Sequence, residues 1–126
     1  MARILVVEDD ADNQELVTRF LQRAGHRVIN VLDGFAGVKE AKEQIPDLIL
    51  MDLVLPGMDG WEASRRIRED PKTFRIPIIA LTAHAFTDEV AKAVEAGIDS
   101  YELKPVVYKR LMEKIAEARR TRQPKP

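Results

Sequence analysis

The sequence predicts an α/β protein built on a parallel sheet. Three observations predict it. Short apolar runs alternate with longer segments of helical period, five such units can be read in succession, and the runs are apolar throughout, as strands buried on both faces are.

The run Ile4-Leu5-Val6-Val7 reads as the first strand. Leu16, Val17, Phe20 and Leu21 then recur at helical spacing until Gly25, which suits a left-handed helix stop. A second strand is expected near residues 27–31, followed by a helix carrying Phe35, Val38 and Ala41 that Pro46 brings to an end. The third strand, Leu48-Ile49-Leu50-Met51, runs into Asp52 and then a loop whose Pro56, Gly57 and Gly60 have the backbone demands of tight turns. Trp61, Ser64 and Ile67 mark a third helix, and Pro77 opens a fourth strand, Ile78-Ile79-Ala80-Leu81, that ends at Thr82. Thr87-Asp88-Glu89 reads as the capped, acidic first turn of a helix that stops at Gly97. A fifth strand over residues 100–103 reaches Lys104-Pro105, and Val107, Leu111 and Ile115 are expected to line one face of the last helix. The polar stretch from Arg119 to Pro126 is expected to fray. Ala24-Gly25-His26 and Ala96-Gly97-Ile98 are alike because each is a helix-to-strand corner, not because the chain repeats.

At 126 residues, one domain can bury its core without a disulfide or structural metal. With 45% hydrophobic and 33% charged residues the composition excludes a disordered chain. Twenty basic residues against 21 acidic ones leave a net charge of -1, so bulk charge favours neither nucleic acid nor an anionic membrane surface. The basic residues Arg119, Arg120 and Arg122 are read as solvating a helix end. The chain has no cysteine, which removes disulfides and thiolate metal sites. The apolar run before Glu8 is too short for a signal-peptide core or a transmembrane helix, so a complete, cytoplasmic protein is expected.

Ligands of open parallel sheets bind beyond the carboxyl ends of the strands. Those ends place Glu8 and Asp9, Asp52, Thr82 and Lys104 on one edge. Two carboxylates roughly 4 Å apart repel by about 4 kcal/mol at an effective dielectric near 20, so such a cluster wants a cation. All-oxygen ligation with few protein donors fits Mg2+ better than calcium or zinc. Phosphoryl transfer needs positioning and charge neutralisation, and these groups can supply both. Asp52 is the candidate nucleophile, with Lys104 balancing charge and the Thr82 hydroxyl donating a hydrogen bond. Taken singly, Glu8, Asp9 and Asp10 could be helix caps, Thr82 a satisfied hydroxyl and Lys104 a solvated charge. Their joint placement favours a site.

The pieces Ile4-Leu5-Val6-Val7-Glu8-Asp9-Asp10, Asp47-Leu48-Ile49-Leu50-Met51-Asp52-Leu53, Pro56-Gly57-Met58-Asp59-Gly60, Pro77-Ile78-Ile79-Ala80-Leu81-Thr82-Ala83, Ala96-Gly97 and Lys104-Pro105 follow one another in an order and spacing that resembles a response-regulator receiver domain. The resemblance covers essentially the whole chain. It implies a doubly wound, flavodoxin-like five-stranded sheet in order 2-1-3-4-5, with the receiver domain over residues 1–120 and a polar tail over 121–126. It implies Asp52 as phosphoacceptor, Asp9 as a direct magnesium ligand, Glu8 as a metal-site acid acting largely through water, and the Val54 backbone carbonyl as a further ligand. Thr82 and Lys104 would bind phosphoryl oxygens, the Lys104-Pro105 bond is often cis in the family, and Tyr101 matches an aromatic switch that turns inward when the threonine moves. Val54 and His84 match two positions that tune phosphoryl lifetime; an apolar Val54 suggests slow hydrolysis. Trp61 and the methionines are assigned to packing only. The implied donor is a sensor histidine kinase or a histidine phosphotransfer protein. The implied output is a partner protein met by the fourth helix, fifth strand and fifth helix, with neither nucleic acid nor membrane bound directly, and with no catalysis beyond the chain's own phosphorylation and dephosphorylation.

Rival readings fit less well. A dehalogenase-like phosphatase needs a second acid at position 54, a flavodoxin would not set Glu8-Asp9-Asp10 against a flavin phosphate, and a P-loop is absent. The remaining alternative is a receiver-fold interaction scaffold that works without phosphorylation.

Overall fold

The computed structural model describes residues 1–83 and 87–122. Five strands and five helices alternate: β1 (Arg3–Val7), α1 (Ala11–Arg23), β2 (Arg27–Val31), α2 (Gly34–Gln44), β3 (Leu48–Asp52), α3 (Gly60–Glu69), β4 (Ile78–Thr82), α4 (Thr87–Glu95), β5 (Ser100–Leu103) and α5 (Tyr108–Arg122). The strands pair in parallel in the order β2-β1-β3-β4-β5. His84 and the side chains of Thr87 and Glu89, named above in the expected first turn of α4 and its approach, lie outside the described residues, as does the tail beyond residue 122.

Period-2 alternation divides the core between the two faces of the sheet. Leu5, Val7, Ile49, Met51, Ile78 and Ala80 pack on one side with residues of α2, α3 and α4. Ile4, Val6, Leu48, Leu50, Ile79 and Leu81 pack on the other with Val17 and Leu21 of α1 and with Leu111, Ile115 and Ala118 of α5. Both faces are covered, which is why these strands are uniformly apolar. Phe20 meets Tyr108 edge to face at 5.4 Å between ring centroids, and Arg23 lies 4.3 Å over the Tyr108 ring, tying α1 to α5.

Gly25 and Gly97 take φ of +86° and +83° at their helix-to-strand corners, as the sequence predicts. Two expected helix faces differ in detail. Val107 is 45% exposed because α5 begins only at Tyr108; the neighbouring Val106 is the residue that seals the core. Phe35 is 60% exposed, whereas Val38 and Ala41 turn to the sheet, because the first turn of α2 stands at the sheet's carboxyl edge. The polar stretch from Arg119 begins helical, since α5 continues through Arg122.

One ion pair unforeseen in the sequence holds β4 and β5 in place. The Arg68 guanidinium donates to Asp99 Oδ2 at 2.8 Å and to the carbonyls of Gly97, Phe74 and Ile76, while Asp99 Oδ2 also accepts from the Ile78 amide at 2.8 Å. Charge-assisted bonds to backbone at both strand entrances fix the start of β4 against the corner that leads to β5.

α2 ends differently from the two glycine corners. Its cap is Ile45, a β-branched residue at φ 46° that is half exposed. Left-handed backbone costs such a residue about 1–2 kcal/mol, part of which glycine would give back as extra unfolded-state entropy. Ile45→Gly is therefore expected to stabilise the fold by about 0.5–1 kcal/mol in a urea titration. An unchanged or lower midpoint would show that the Ile45 side chain contributes more by packing than its backbone loses by strain.

Candidate acidic site at the carboxyl edge of the sheet

β1 pairs with β2 on one side and β3 on the other, so strand order reverses between β1 and β3. In this register Val7 stands opposite Met51, which places the residues that follow, Glu8 and Asp52, side by side at the switch point. Asp52 is 4% exposed and Glu8 is fully buried, while Asp9 faces solvent. Each of the three offers a carboxylate oxygen within 4.8 Å of the others.

The neighbouring acid has another task. Asp10 caps α1, its Oδ1 accepting from the amides of Asp12 at 2.9 Å and Asn13 at 3.1 Å. Of the four acids Glu8, Asp9, Asp10 and Asp52, three stand in the cluster and Asp10 is spent on a helix terminus.

Lys104 reaches the cluster from beyond β5. Its amide donates to the Thr82 carbonyl at 2.8 Å, and the Lys104-Pro105 bond is cis, as the family resemblance implies. Its Nζ lies 3.0 Å from Asp52 Oδ2 and 2.9 Å from Glu8 Oε1. The contact with Asp52 is an aligned hydrogen bond; the contact with Glu8 is an ion pair by distance in which Oε1 has no aligned donor. Asp52 Oδ1 accepts from the Val54 amide at 3.1 Å. The Val54 side chain stands at the rim, 78% exposed.

Thr82 closes β4, 8% exposed and one strand over from Asp52. Tyr101 is not part of the cluster: it lies on β5 with its side chain partly at the surface, and Lys114 Nζ is 5.6 Å from its ring centroid.

Burial pushes the Glu8 carboxyl up to about 7, helped by its hydrogen bond with and the charge of Asp52 and opposed by Lys104. Burial pulls the Lys104 ammonium down, but Glu8 and Asp52 outweigh it and hold its pKa above the usual lysine value. Among the described residues, three carboxylates face one ammonium. This excess of negative charge, the all-oxygen donor set and the buried Glu8 oxygen without an aligned donor suit a small hard cation, and the cluster is compatible with magnesium.

Sequence reasoning placed Gly60 in a turn; its larger part here is close approach. The Gly60 amide donates to the Leu53 carbonyl at 3.0 Å, and a Cβ at this position would lie 2.3 Å from the Asp52 carbonyl oxygen. The Glu8–Lys104 pairing had no signal in the sequence beyond the shared strand-end rule.

Fold and site together define a doubly wound domain that carries an acidic oxygen-donor site at its switch point, where flavin- and nucleotide-binding relatives of this architecture carry a phosphate cradle. The model of the response regulator receiver domain matches residues 4–116, and the chain belongs to that family, the receivers of two-component signalling. It is 35% identical to Protein PilH of Pseudomonas aeruginosa over 91% of this chain and 95% of that protein. It is 43% identical to the transcriptional regulatory protein AfsQ1 of Streptomyces coelicolor over 84% of this chain, a match that spans 46% of the relative's length. The crystal structure of the receiver domain of a sensor histidine kinase from Pseudomonas aeruginosa, with a magnesium ion coordinated in its active-site cleft, superposes with a TM-score of 0.88 at 38% identity, covering 94% of this chain and 97% of that one.

Proposed function

We propose that this receiver accepts a phosphoryl group on Asp52 from a phosphohistidine of a sensor histidine kinase or histidine phosphotransfer protein, and signals to a partner protein by changing conformation. The observation that carries the reading is the buried Asp52 carboxylate, held by Lys104 and by the Val54 amide within reach of Glu8 and Asp9. An Asp52 oxygen attacks phosphorus, the bond from phosphorus to the donor nitrogen breaks, and the nitrogen leaves with the electron pair. Lys104 and the Thr82 hydroxyl bind the phosphoryl oxygens as charge moves onto them. Asp9, Asp52 and the Val54 carbonyl would hold Mg2+, with Glu8 acting largely through water, and the ion would supply the remaining neutralisation. Thr82 is drawn toward the new phosphoryl group, Tyr101 turns inward, and the surface of α4, β5 and α5 shifts its population toward the form the partner binds.

The reading places the protein in the cytoplasm; no described helix is long and apolar enough to cross a membrane. It involves no direct contact with nucleic acid, and the unit that does the work is the domain over residues 1–120 with 121–126 as its tail. The test is to incubate the protein with acetyl phosphate and follow intact mass. One added phosphoryl group that requires Mg2+ supports the reading. No gain, either from this donor or from a phosphorylated histidine kinase, favours a phosphorylation-independent scaffold.

Two smaller effects follow from the same chemistry. Because Glu8 is half protonated near pH 7 in the metal-free protein, Mg2+ must displace a proton to bind below that pH. Apparent Mg2+ affinity is expected to fall as pH drops from 8 to 6, approaching about tenfold per unit at the acid end, in calorimetric titrations. A flat profile would contradict the displacement. The exposed Val54 side chain offers no polar group to orient a hydrolytic water. Val54→Asn is expected to speed loss of the phosphoryl group about 2- to 10-fold, the worth of one hydrogen bond in the transition state. An unchanged decay rate would remove Val54 from the control of lifetime.

A further inference from the structure

Trp61, the chain's only tryptophan, does more than fill space. It is the second residue of α3, partly buried against the core face shared by α2, α3 and α4. Its Nε1 is buried and has no hydrogen-bond partner among the described residues. The outer face of the ring carries the Lys92 ammonium of α4, with Nζ 4.3 Å from the ring centroid. This distance is within the range at which a cation is held by the ring quadrupole. Lys92 is exposed, and none of the ion pairs described among these residues includes it, so the ring is the feature that positions its charge.

The residue before Trp61 is Gly60, which is packed so tightly on β3 that its missing side chain would overlap the Asp52 carbonyl. Its amide is bonded to the Leu53 carbonyl. A short, stiff series of contacts therefore runs from the Asp52 backbone through Gly60 to the Trp61 ring and across to Lys92 on α4. It is separate from the path by way of Thr82 and Tyr101, which lies along β4 and β5.

We infer that the Lys92–Trp61 contact is a latch between α3 and α4 that couples the Asp52 end of β3 to the position of α4. The latch favours the arrangement seen here, with Tyr101 partly at the surface. A ligand at Asp52 that moves α4 works against it, and by reciprocity removing the latch tightens that ligand's binding. The coupling rests on the reading of Asp52 as phosphoacceptor; the latch itself does not.

The test compares wild type, Lys92→Met and Lys92→Arg as full-length proteins. Lys92→Met keeps the aliphatic stem and deletes the charge, and Lys92→Arg retains a cation able to lie over the ring. Two quantities are measured: amide hydrogen exchange in α4 without ligand, and the affinity for beryllofluoride with Mg2+, an aspartyl-phosphate mimic, followed by Trp61 emission and checked by calorimetry. An exposed cation–π contact is worth a factor of about 2 to 5. Lys92→Met is expected to speed exchange in α4 by that factor with α1 unchanged, and to tighten beryllofluoride binding by a similar factor, while Lys92→Arg behaves as wild type. Unchanged exchange in Lys92→Met overturns the latch. Faster exchange with unchanged beryllofluoride affinity overturns the coupling. Wild type that binds no beryllofluoride at any Mg2+ concentration overturns the acceptor reading and the coupling with it, and the α4 exchange rates still decide whether the latch exists. A Trp61→Phe, Lys92→Met double variant closes the cycle: the Lys92 effect is expected to shrink when the better ring is gone.

Discussion

Asp52→Ala is expected to take Mg2+-dependent phosphoryl incorporation from one group per chain to none. None of the three neighbouring acids can stand in. Asp10 is engaged at the α1 terminus, accepting two amides, and Asp9 faces solvent at the end of β1. Glu8 is fully buried, with its carboxyl pushed up to about 7, so it is a poor nucleophile at neutral pH. Asp52 is the carboxylate that Lys104 and a backbone amide aim and that stands at the end of the central strand of the sheet. The substitution should leave the fold intact, because removing one of two adjacent buried carboxylates relieves repulsion and leaves Lys104 paired with Glu8. An equal or higher melting temperature beside a complete loss of phosphoryl gain is the expected pair of results. A variant that still gains one Mg2+-dependent group would move the acceptor elsewhere.

Gly60→Ala is expected to carry the largest structural penalty of an added methyl at any of this chain's six glycines. The new Cβ would stand 2.3 Å from the Asp52 carbonyl oxygen, 2.7 Å from Leu53 Cα and 3.0 Å from the Asp52 carbonyl carbon. All three atoms are backbone, so no side-chain rotation relieves the overlap. Either α3 withdraws from β3, giving up the bond from the Gly60 amide to the Leu53 carbonyl and the packing of Ala63 and Ile67, or the end of β3 shifts and takes Asp52 out of register with Lys104. Overpacking of this kind costs about 1–3 kcal/mol, and a clash confined to backbone belongs at or above the upper end. Urea unfolding should show a loss of about 3 kcal/mol or more, and the folded fraction should need more Mg2+ for phosphoryl gain. Gly25 is the internal control, since nothing lies within 4 Å of a Cβ there and its cost is that of a positive φ alone. If Gly60→Ala melts with wild type, the close approach of α3 to Asp52 is not what holds the site.

The parallel sheet, its five strands and the residues at their carboxyl ends were legible because they depend on local pattern. A strand covered on both faces must be apolar at every position, and Ile4-Leu5-Val6-Val7 and Leu48-Ile49-Leu50-Met51 could be little else. The corners at Gly25 and Gly97 were equally plain, since a positive φ selects for a residue without a Cβ. The strand-end rule gathers the motif residues Glu8, Asp9, Asp52, Thr82 and Lys104 on one edge from the sequence alone.

Distances across the fold were not legible in that way. Three consecutive acids follow β1, and nothing in their order says that Asp10 caps a helix, Asp9 faces water and Glu8 is buried against Lys104; the exit angle of the chain from β1 into α1 sorts them. Nothing in the sequence pairs Arg68 with Asp99, which meet only where the end of α3 packs against the corner before β5. Trp61 read as packing until Lys92 came over its ring. Val106 replaced Val107 in the core because the first turn of α5 starts one residue later than the apolar spacing implied. Apolar periodicity is a property of neighbours along the chain, enforced at every residue by burial, and so it survives in the sequence. Which charge meets which, and whether an aromatic ring touches a cation, depends on how separately formed elements pack together, and that is set by the summed burial of two core faces rather than by any residue in the pair.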